Sequence, residues 1–204
     1  LYHSRAPGGG HGSGSGHPGM TWLEALRQAQ ILAVIRSRDP EMAWQQGEAL
    51  IQAGYVCLEV TATTPDYEQV IRQLRHKYPG IWVGCGTVTT PERAAAAIQG
   101  GSQFLVSPIF TPQVLHLGHM AGIPVVTGGL TPSEIWQGWV AGAAAVKVFP
   151  IASVGGASYL RHLQGPFPGI PLIASGGISL GTVQEYLQAG AVAVAVGTGL
   201  LKPA

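Results

Sequence analysis

Charge is scarce in this chain. Only 10% of its 204 residues are Asp, Glu, Lys or Arg, and eleven basic side chains against ten acidic ones leave a formal net charge of +1. So balanced a surface gives a polyanion or an anionic bilayer little electrostatic hold, so neither a nucleic acid nor a membrane is expected as a partner. Cysteine is scarcer still. Cys57 and Cys85 are the only two, each inside an apolar run and not in a Cys-x-x-Cys pair, which points to reduced core thiols rather than a disulfide framework or a zinc site. No stretch reaches the roughly 18 to 20 uninterrupted apolar residues of a membrane span, and a cytoplasmic location is the resulting expectation.

Residues 1–19 hold seven glycines, three histidines and no hydrophobic periodicity. They read as a cloning-derived leader or disordered tail with no apolar centre like that of a secretion signal, and Met20 as the native start. Residues 20–204 are long enough for one well-buried domain, and without Arg5 they carry ten basic and ten acidic residues, so no net charge.

What the chain has is rhythm. From Ile31 onward, short β-rich runs recur every 20 to 25 residues or so, at 31–35, 56–60, 81–85, 104–106, 124–126, 145–149, 172–174 and 192–196. Helical patterns fill the gaps at 40–53, 65–78, 91–99, 112–121, 132–141, 157–163 and 180–189, and five of the seven open with proline, which suits a first turn that needs no amide donor. Eight strands alternating with helices predict a closed (β/α)8 TIM barrel over an open flavodoxin-like sheet. The barrel is short, its last helix vestigial or lost, and residues 21–30 form an extra N-terminal helix that plugs the bottom.

Barrel enzymes place their chemistry at the carboxyl ends of the strands. Two residues stand out there. Lys147 is the lone charge in the apolar run Ala143-Ala144-Ala145-Val146-Lys147-Val148-Phe149-Pro150. A buried ammonium without a partner is costly, so such a lysine either finds a carboxylate or gives up its proton and becomes a carbonyl nucleophile; a lysine snorkelling from a strand end is the plainer reading. Glu59, in Cys57-Leu58-Glu59-Val60-Thr61, is the second such charge. The two pair either as a buried salt bridge or as amine and proton shuttle. Other candidates at strand ends are Arg36, Thr63, Thr87 and Pro108, with Phe149 beside Lys147. Ser175-Gly176-Gly177 after the seventh strand and Gly197-Thr198-Gly199 after the eighth fit a phosphate site in which backbone amides approach an anion, although any short βα turn also uses glycine. His116 and His119, three apart on a predicted helix, read as a solvated or packed face, since no third ligand completes a metal site.

In these residues the chain resembles the family of 2-keto-3-deoxy-6-phosphogluconate (KDPG) aldolase and 4-hydroxy-2-oxoglutarate (KHG) aldolase. The matching segments, in order, are Leu58-Glu59-Val60-Thr61, Gly84-Cys85-Gly86-Thr87-Val88, Phe104-Leu105-Val106-Ser107-Pro108, Leu130-Thr131-Pro132-Ser133-Glu134, Val146-Lys147-Val148-Phe149-Pro150, Gly165-Pro166-Phe167 and Ser175-Gly176-Gly177-Ile178. The resemblance implies a class I aldolase that cleaves KDPG to pyruvate and glyceraldehyde 3-phosphate, with Lys147 as Schiff-base lysine, Glu59 as general acid/base and Thr87 near the pyruvate carboxylate. It implies a homotrimer acting on a phosphorylated 2-keto acid with no metal and no cofactor. KHG cleavage to pyruvate and glyoxylate, a phosphate-binding barrel isomerase and a non-catalytic sugar-phosphate binder are the alternatives. Many relatives carry arginine where this chain has Thr63, and Arg36 is the expected substitute. Thr127 stands where the family usually has proline and Ile109 where glycine is common, and both are expected to line the barrel mouth.

Overall fold

The structure, a computed structural model, describes residues 19–197 and 200. The expected leader, apart from Gly19, lies outside the described residues, as do Thr198, Gly199 and residues 201–204, where the vestigial or lost last helix is expected. Helix α1 spans Trp22–Ala29, and eight strands follow: β1 Ile31–Ile35, β2 Cys57–Thr61, β3 Trp82–Gly86, β4 Leu105–Val106, β5 Val125–Gly129, β6 Ala145–Val148, β7 Leu172–Ser175 and β8 Ala193–Val196. Between them run α2 Pro40–Gln52, α3 Tyr67–Lys77, α4 Pro91–Gln99, α5 Pro112–Met120, α6 Pro132–Val140, α7 Gly156–Gln164 and α8 Val183–Gln188. The strands pair in parallel in chain order, and β8 pairs with β1 to close the barrel. This is the (β/α)8 barrel that the alternation predicts.

Two apolar clusters share the wall between them in strict alternation. Leu32, Cys57, Trp82, Phe104, Val106, Val126, Ala145, Ile173, Ala193 and Ala195 fill the interior, while Ala33, Leu58, Val60, Val83, Cys85, Leu105, Val125, Val146, Val148, Leu172 and Val194 lie under the helices. Successive strand residues point to opposite faces, which is why each strand is buried along its whole length and reads as a continuous apolar run. The two cysteines fall on opposite sides of this wall. Both are free and buried, and burial pushes the Cys57 thiol up to about 12, so neither is a ready nucleophile.

Helix α1 closes the bottom. Trp22, Ala25 and Leu26 form one buried stripe at helical spacing and join the interior cluster, with the Trp22 ring 4.9 Å from that of Phe104. Its start is fixed locally, because Thr21 and Glu24 form a reciprocal capping box, as Thr131 and Glu134 do at α6. Of the five expected proline openings four hold, at Pro40, Pro91, Pro112 and Pro132. The fifth does not: Pro65 belongs to a turn, Asp66 takes a left-handed conformation (φ 50°), and α3 begins at Tyr67. The expected helix at 180–189 is a 3-10 turn, Leu180–Thr182, followed by the six-residue α8.

Candidate active site

Counting by twos from the interior cluster places the polar residues. Cys57 faces inward, hence so do Glu59 and Thr61; Ala145 carries the same parity to Lys147, Ile173 to Ser175, and Ala195 to Gly197. Glu59 is fully buried and Lys147 is 7% exposed, with Lys147 Nζ 3.8 Å from Glu59 Oε1. That separation is too long for a hydrogen bond. Neither carboxylate oxygen of Glu59 has a hydrogen-bond partner among the described residues, so the pair is not the satisfied ion pair of a purely structural role. Burial drives the Glu59 carboxyl above its ordinary value, opposed first by Lys147 and then by Arg36. An acid raised in this way keeps its proton to higher pH than an ordinary carboxyl.

Glycines make the room. A Cβ at Gly86 would sit 1.7 Å from Glu59 Oε1, one at Gly84 would strike the carbonyl oxygen of Phe104 at 2.5 Å, and one at Gly128 would come within 2.0 Å of the Pro108 carbonyl carbon. Each lies at an inward-facing position, so these bare backbones let the carboxylate, the Phe104 ring and the end of β4 occupy the interior. Gly128 also lies in register with Lys147 on the neighbouring strand, leaving the lysine free of a facing side chain.

At the mouth, Arg36 reaches from the end of β1 across β2 to β3. Its Nη1 donates to Thr63 Oγ1 at 2.8 Å and its Nη2 to Thr87 Oγ1 at 3.1 Å. Thr61, Thr63 and Thr64 extend the network through hydroxyl contacts of 3.1 and 3.4 Å, and Thr64 Oγ1 accepts from the Ser37 amide. Thr87 holds a left-handed backbone (φ 55°) with its carbonyl 3.4 Å from Arg93 Nη1. The described residues place no carboxylate within ion-pair distance of Arg36, so its charge faces the mouth uncompensated.

On the opposite side the Phe149 ring lies 5.7 Å from Lys147 Nζ. A Cβ on Gly176 would press on that ring and on Pro150 at 3.0 Å, and Gly176 and Gly177 both have positive φ (96° and 74°), where a side chain would be strained. Lys147, Phe149 and the 176–177 turn therefore form one wall. Ser175 is buried beside that turn, and among the described residues nothing lies within 4 Å of a Cβ at Gly197. Thr198 lies outside the described residues.

One expectation fails at this mouth. Thr127 does not line it: its hydroxyl lies 2.3 Å from where a Cβ on Gly138 of α6 would be, outside the barrel wall, because Thr127 has the opposite parity to Gly128. Ile109 is half exposed, with its amide bonded to Ser107 Oγ. His116 and His119 form no metal site, and His119 Nε2 instead contacts the Gly142 carbonyl at 3.0 Å. No group of three or more His, Cys, Asp or Glu residues suited to a metal occurs among the described residues. The glycine clearances escaped the sequence reading, and only the strand parity could have shown them.

Comparison with known proteins matches the model of the KDPG and KHG aldolase family over residues 23–204. The 2-dehydro-3-deoxy-phosphogluconate aldolase of Treponema pallidum is 34% identical over 82% of this chain and 80% of its own length. The KHG/KDPG aldolase of Escherichia coli K12 is 32% identical over 88% and 84%. Among solved structures, KDPG aldolase from Legionella pneumophila, with pyruvate captured at low pH as a covalent carbinolamine, is 31% identical and superposes with a TM-score of 0.81 over 89% of this chain and 88% of that one.

Proposed function

Because the chain belongs to the KDPG and KHG aldolase family, we propose that it is a class I aldolase, a carbon–carbon lyase that cleaves KDPG to pyruvate and glyceraldehyde 3-phosphate through a Schiff base on Lys147. The observation that carries the assignment of residues is the Lys147 amine facing an unbonded Glu59 carboxylate at 3.8 Å inside an apolar barrel. The neutral amine adds to the C2 carbonyl, the carbinolamine loses water, and the protonated imine forms. Glu59, directly or through one water, takes the proton of the C4 hydroxyl; the C3–C4 bond breaks, and its electron pair passes into the iminium to give an enamine while the aldehyde departs. Glu59 then returns a proton to C3, and hydrolysis of the iminium frees pyruvate and the lysine.

Arg36 and Thr87 hold the carboxylate, with Thr63 and Pro108 shaping that wall, and Phe149 covers the imine. Ser175, Gly176 and Gly177, with Gly197 and Thr198, take the phosphate. The positive-φ turn at 176–177 supports a phosphorylated aldehyde over the glyoxylate half of KHG, because bare amides suit a compact anion. The protein acts in the cytoplasm as a homotrimer. No helix among the described residues is long and apolar enough to cross a membrane, and the exposed Trp136 and Val140 of α6 supply apolar surface of the kind that subunits bury. Sedimentation velocity tests the trimer.

Borohydride reduction with pyruvate tests the chemistry: the reduced pyruvyl group should map to Lys147 alone. Labelling at Lys77 or Lys202, or no adduct, would overturn the assignment, and the absence of an adduct would favour a barrel isomerase.

A further inference from the structure

Away from the barrel mouth, a cavity of about 580 Å³ lies between α7 and α8. One wall is the first turn of α7, whose N-cap, Gly155, offers no side-chain oxygen to the free amides behind it. Facing that turn is Tyr186 of α8. It is only 6% exposed, yet its hydroxyl lines the cavity, 3.1 Å from where a Cβ on Gly156 would stand, and has no hydrogen-bond partner among the described residues. The ring is buried, but the hydroxyl opens into the cavity with no partner among the described residues to compete for it. Burial first, and Glu185 second, push the Tyr186 phenol above its ordinary value, so it remains an O–H donor at physiological pH. Ser158 and Arg161 complete the lining, and among the described residues Arg161 has no ion-pair or hydrogen-bond partner.

We propose that this groove is a second oxyanion site, taking the phosphate of a hydroxyl-bearing phosphomonoester on the α7 amides, Ser158, Arg161 and the Tyr186 hydroxyl. The parts are complementary: a helix N-terminus favours negative charge, a guanidinium pairs with phosphate oxygens, and two hydroxyls donate. Glu185 gives the site its selectivity. On the same lining, its carboxylate repels a bare oxyanion but accepts a hydrogen bond from a ligand hydroxyl, so an organic phosphate outcompetes the inorganic ion. The site differs from the one proposed for the substrate phosphate, and a single residue separates them. Ala152 lines this cavity, donates its amide to Gly176 O at 3.2 Å, and would be 2.6 Å from a Cβ on Gly177.

Amide chemical shifts of the full-length ¹⁵N-labelled protein, followed during titration with glycerol 1-phosphate and separately with inorganic phosphate, resolve the two sites. The Gly156, Ala157 and Ser158 amides should shift saturably, at several-fold lower concentration for glycerol 1-phosphate than for inorganic phosphate, and Glu185→Gln should narrow that difference. Arg161→Ala and the shape-conserving Tyr186→Phe should each weaken these shifts at least tenfold while leaving those at Gly176 and Gly177 in place. No saturable response at the start of α7, or one unchanged in Arg161→Ala, would overturn the proposal. Trapping at Lys147 is independent of this groove, so failure here and failure of the aldolase assignment are distinguishable.

Discussion

An alanine at position 86 would place its methyl carbon 1.7 Å from Glu59 Oε1, 2.2 Å from Cδ and 2.4 Å from Cγ. The backbone itself accepts the change, since Gly86 is not among the residues with positive φ and lies at the end of a regular strand. Non-bonded atoms settle at about 3.5 Å, so the carboxylate must retreat by well over 1 Å. Misplacing a catalytic group by about 1 Å costs about 10²-fold, and kcat for KDPG should fall by that factor in an assay coupling pyruvate release to lactate dehydrogenase. Overpacking costs about 1 to 3 kcal/mol, within the roughly 5 to 15 kcal/mol that holds a typical domain, so the far-ultraviolet spectrum should stay that of the native barrel. Lys147 is untouched and should still be trapped by pyruvate and borohydride after long incubation. Gly84→Ala is the control: its methyl meets the Phe104 carbonyl and ring at 2.5 to 2.6 Å, well away from the carboxylate, so it should lower Tm without a comparable loss of kcat. A Gly86→Ala protein turning over within threefold of wild type would refute the role given to Glu59.

Arg36→Ala should lower kcat/KM by about one to two decades, the worth of a charged hydrogen bond of about 1.5 to 3 kcal/mol, and Thr63→Arg in that background should restore part of it; unchanged kinetics in Arg36→Ala would remove Arg36 from the site. Burial raises the Glu59 carboxyl above its ordinary value of 4.5, so the folded state keeps a proton that the unfolded chain releases, and wild-type stability falls as pH climbs from about 4.5 through the folded value. Urea titrations should show Glu59→Gln gaining on the wild type over that climb, and a pH-independent difference would mean that Lys147 and Arg36 cancel the burial. Because the iminium serves as the electron sink, activity should survive exhaustive chelation; loss with EDTA and rescue by a divalent ion would refute the class I assignment.

Sequence order made the barrel legible because a parallel strand buried on both faces is an unbroken apolar run, and a charge inside one, at Lys147 or Glu59, has no ordinary place. Boundaries were less legible. Strand β5 runs on to Gly129, past the expected end at 126, since glycines carry no strand signal yet pair well in a ladder whose inner face must stay empty. The proline rule failed at Pro65 because proline suits a turn as well as a helix start, and only the left-handed Asp66 decides between them. Thr127 was misplaced because its neighbours were treated as a loop, where parity carries no meaning; within β5 its side chain can only point outward.

The same parity explains why the site could be named but not built from sequence. A residue type announces chemistry, whereas the space that chemistry needs is set by what is missing on the adjacent strand. The Glu59 carboxylate occupies the space where a Cβ on Gly86 of the adjacent strand would stand, and Lys147 pairs in register with Gly128; in each case the charged residue of one strand lies beside a residue without a side chain on the next. Read along the chain, those glycines belong to separate motifs some distance from the groups they serve. Read across the ladder, they are half of the site, because a carboxylate with no hydrogen-bond partner can persist in an apolar barrel only where the neighbouring backbone leaves it the volume. A substitution that fills that volume should therefore act on turnover before it acts on folding.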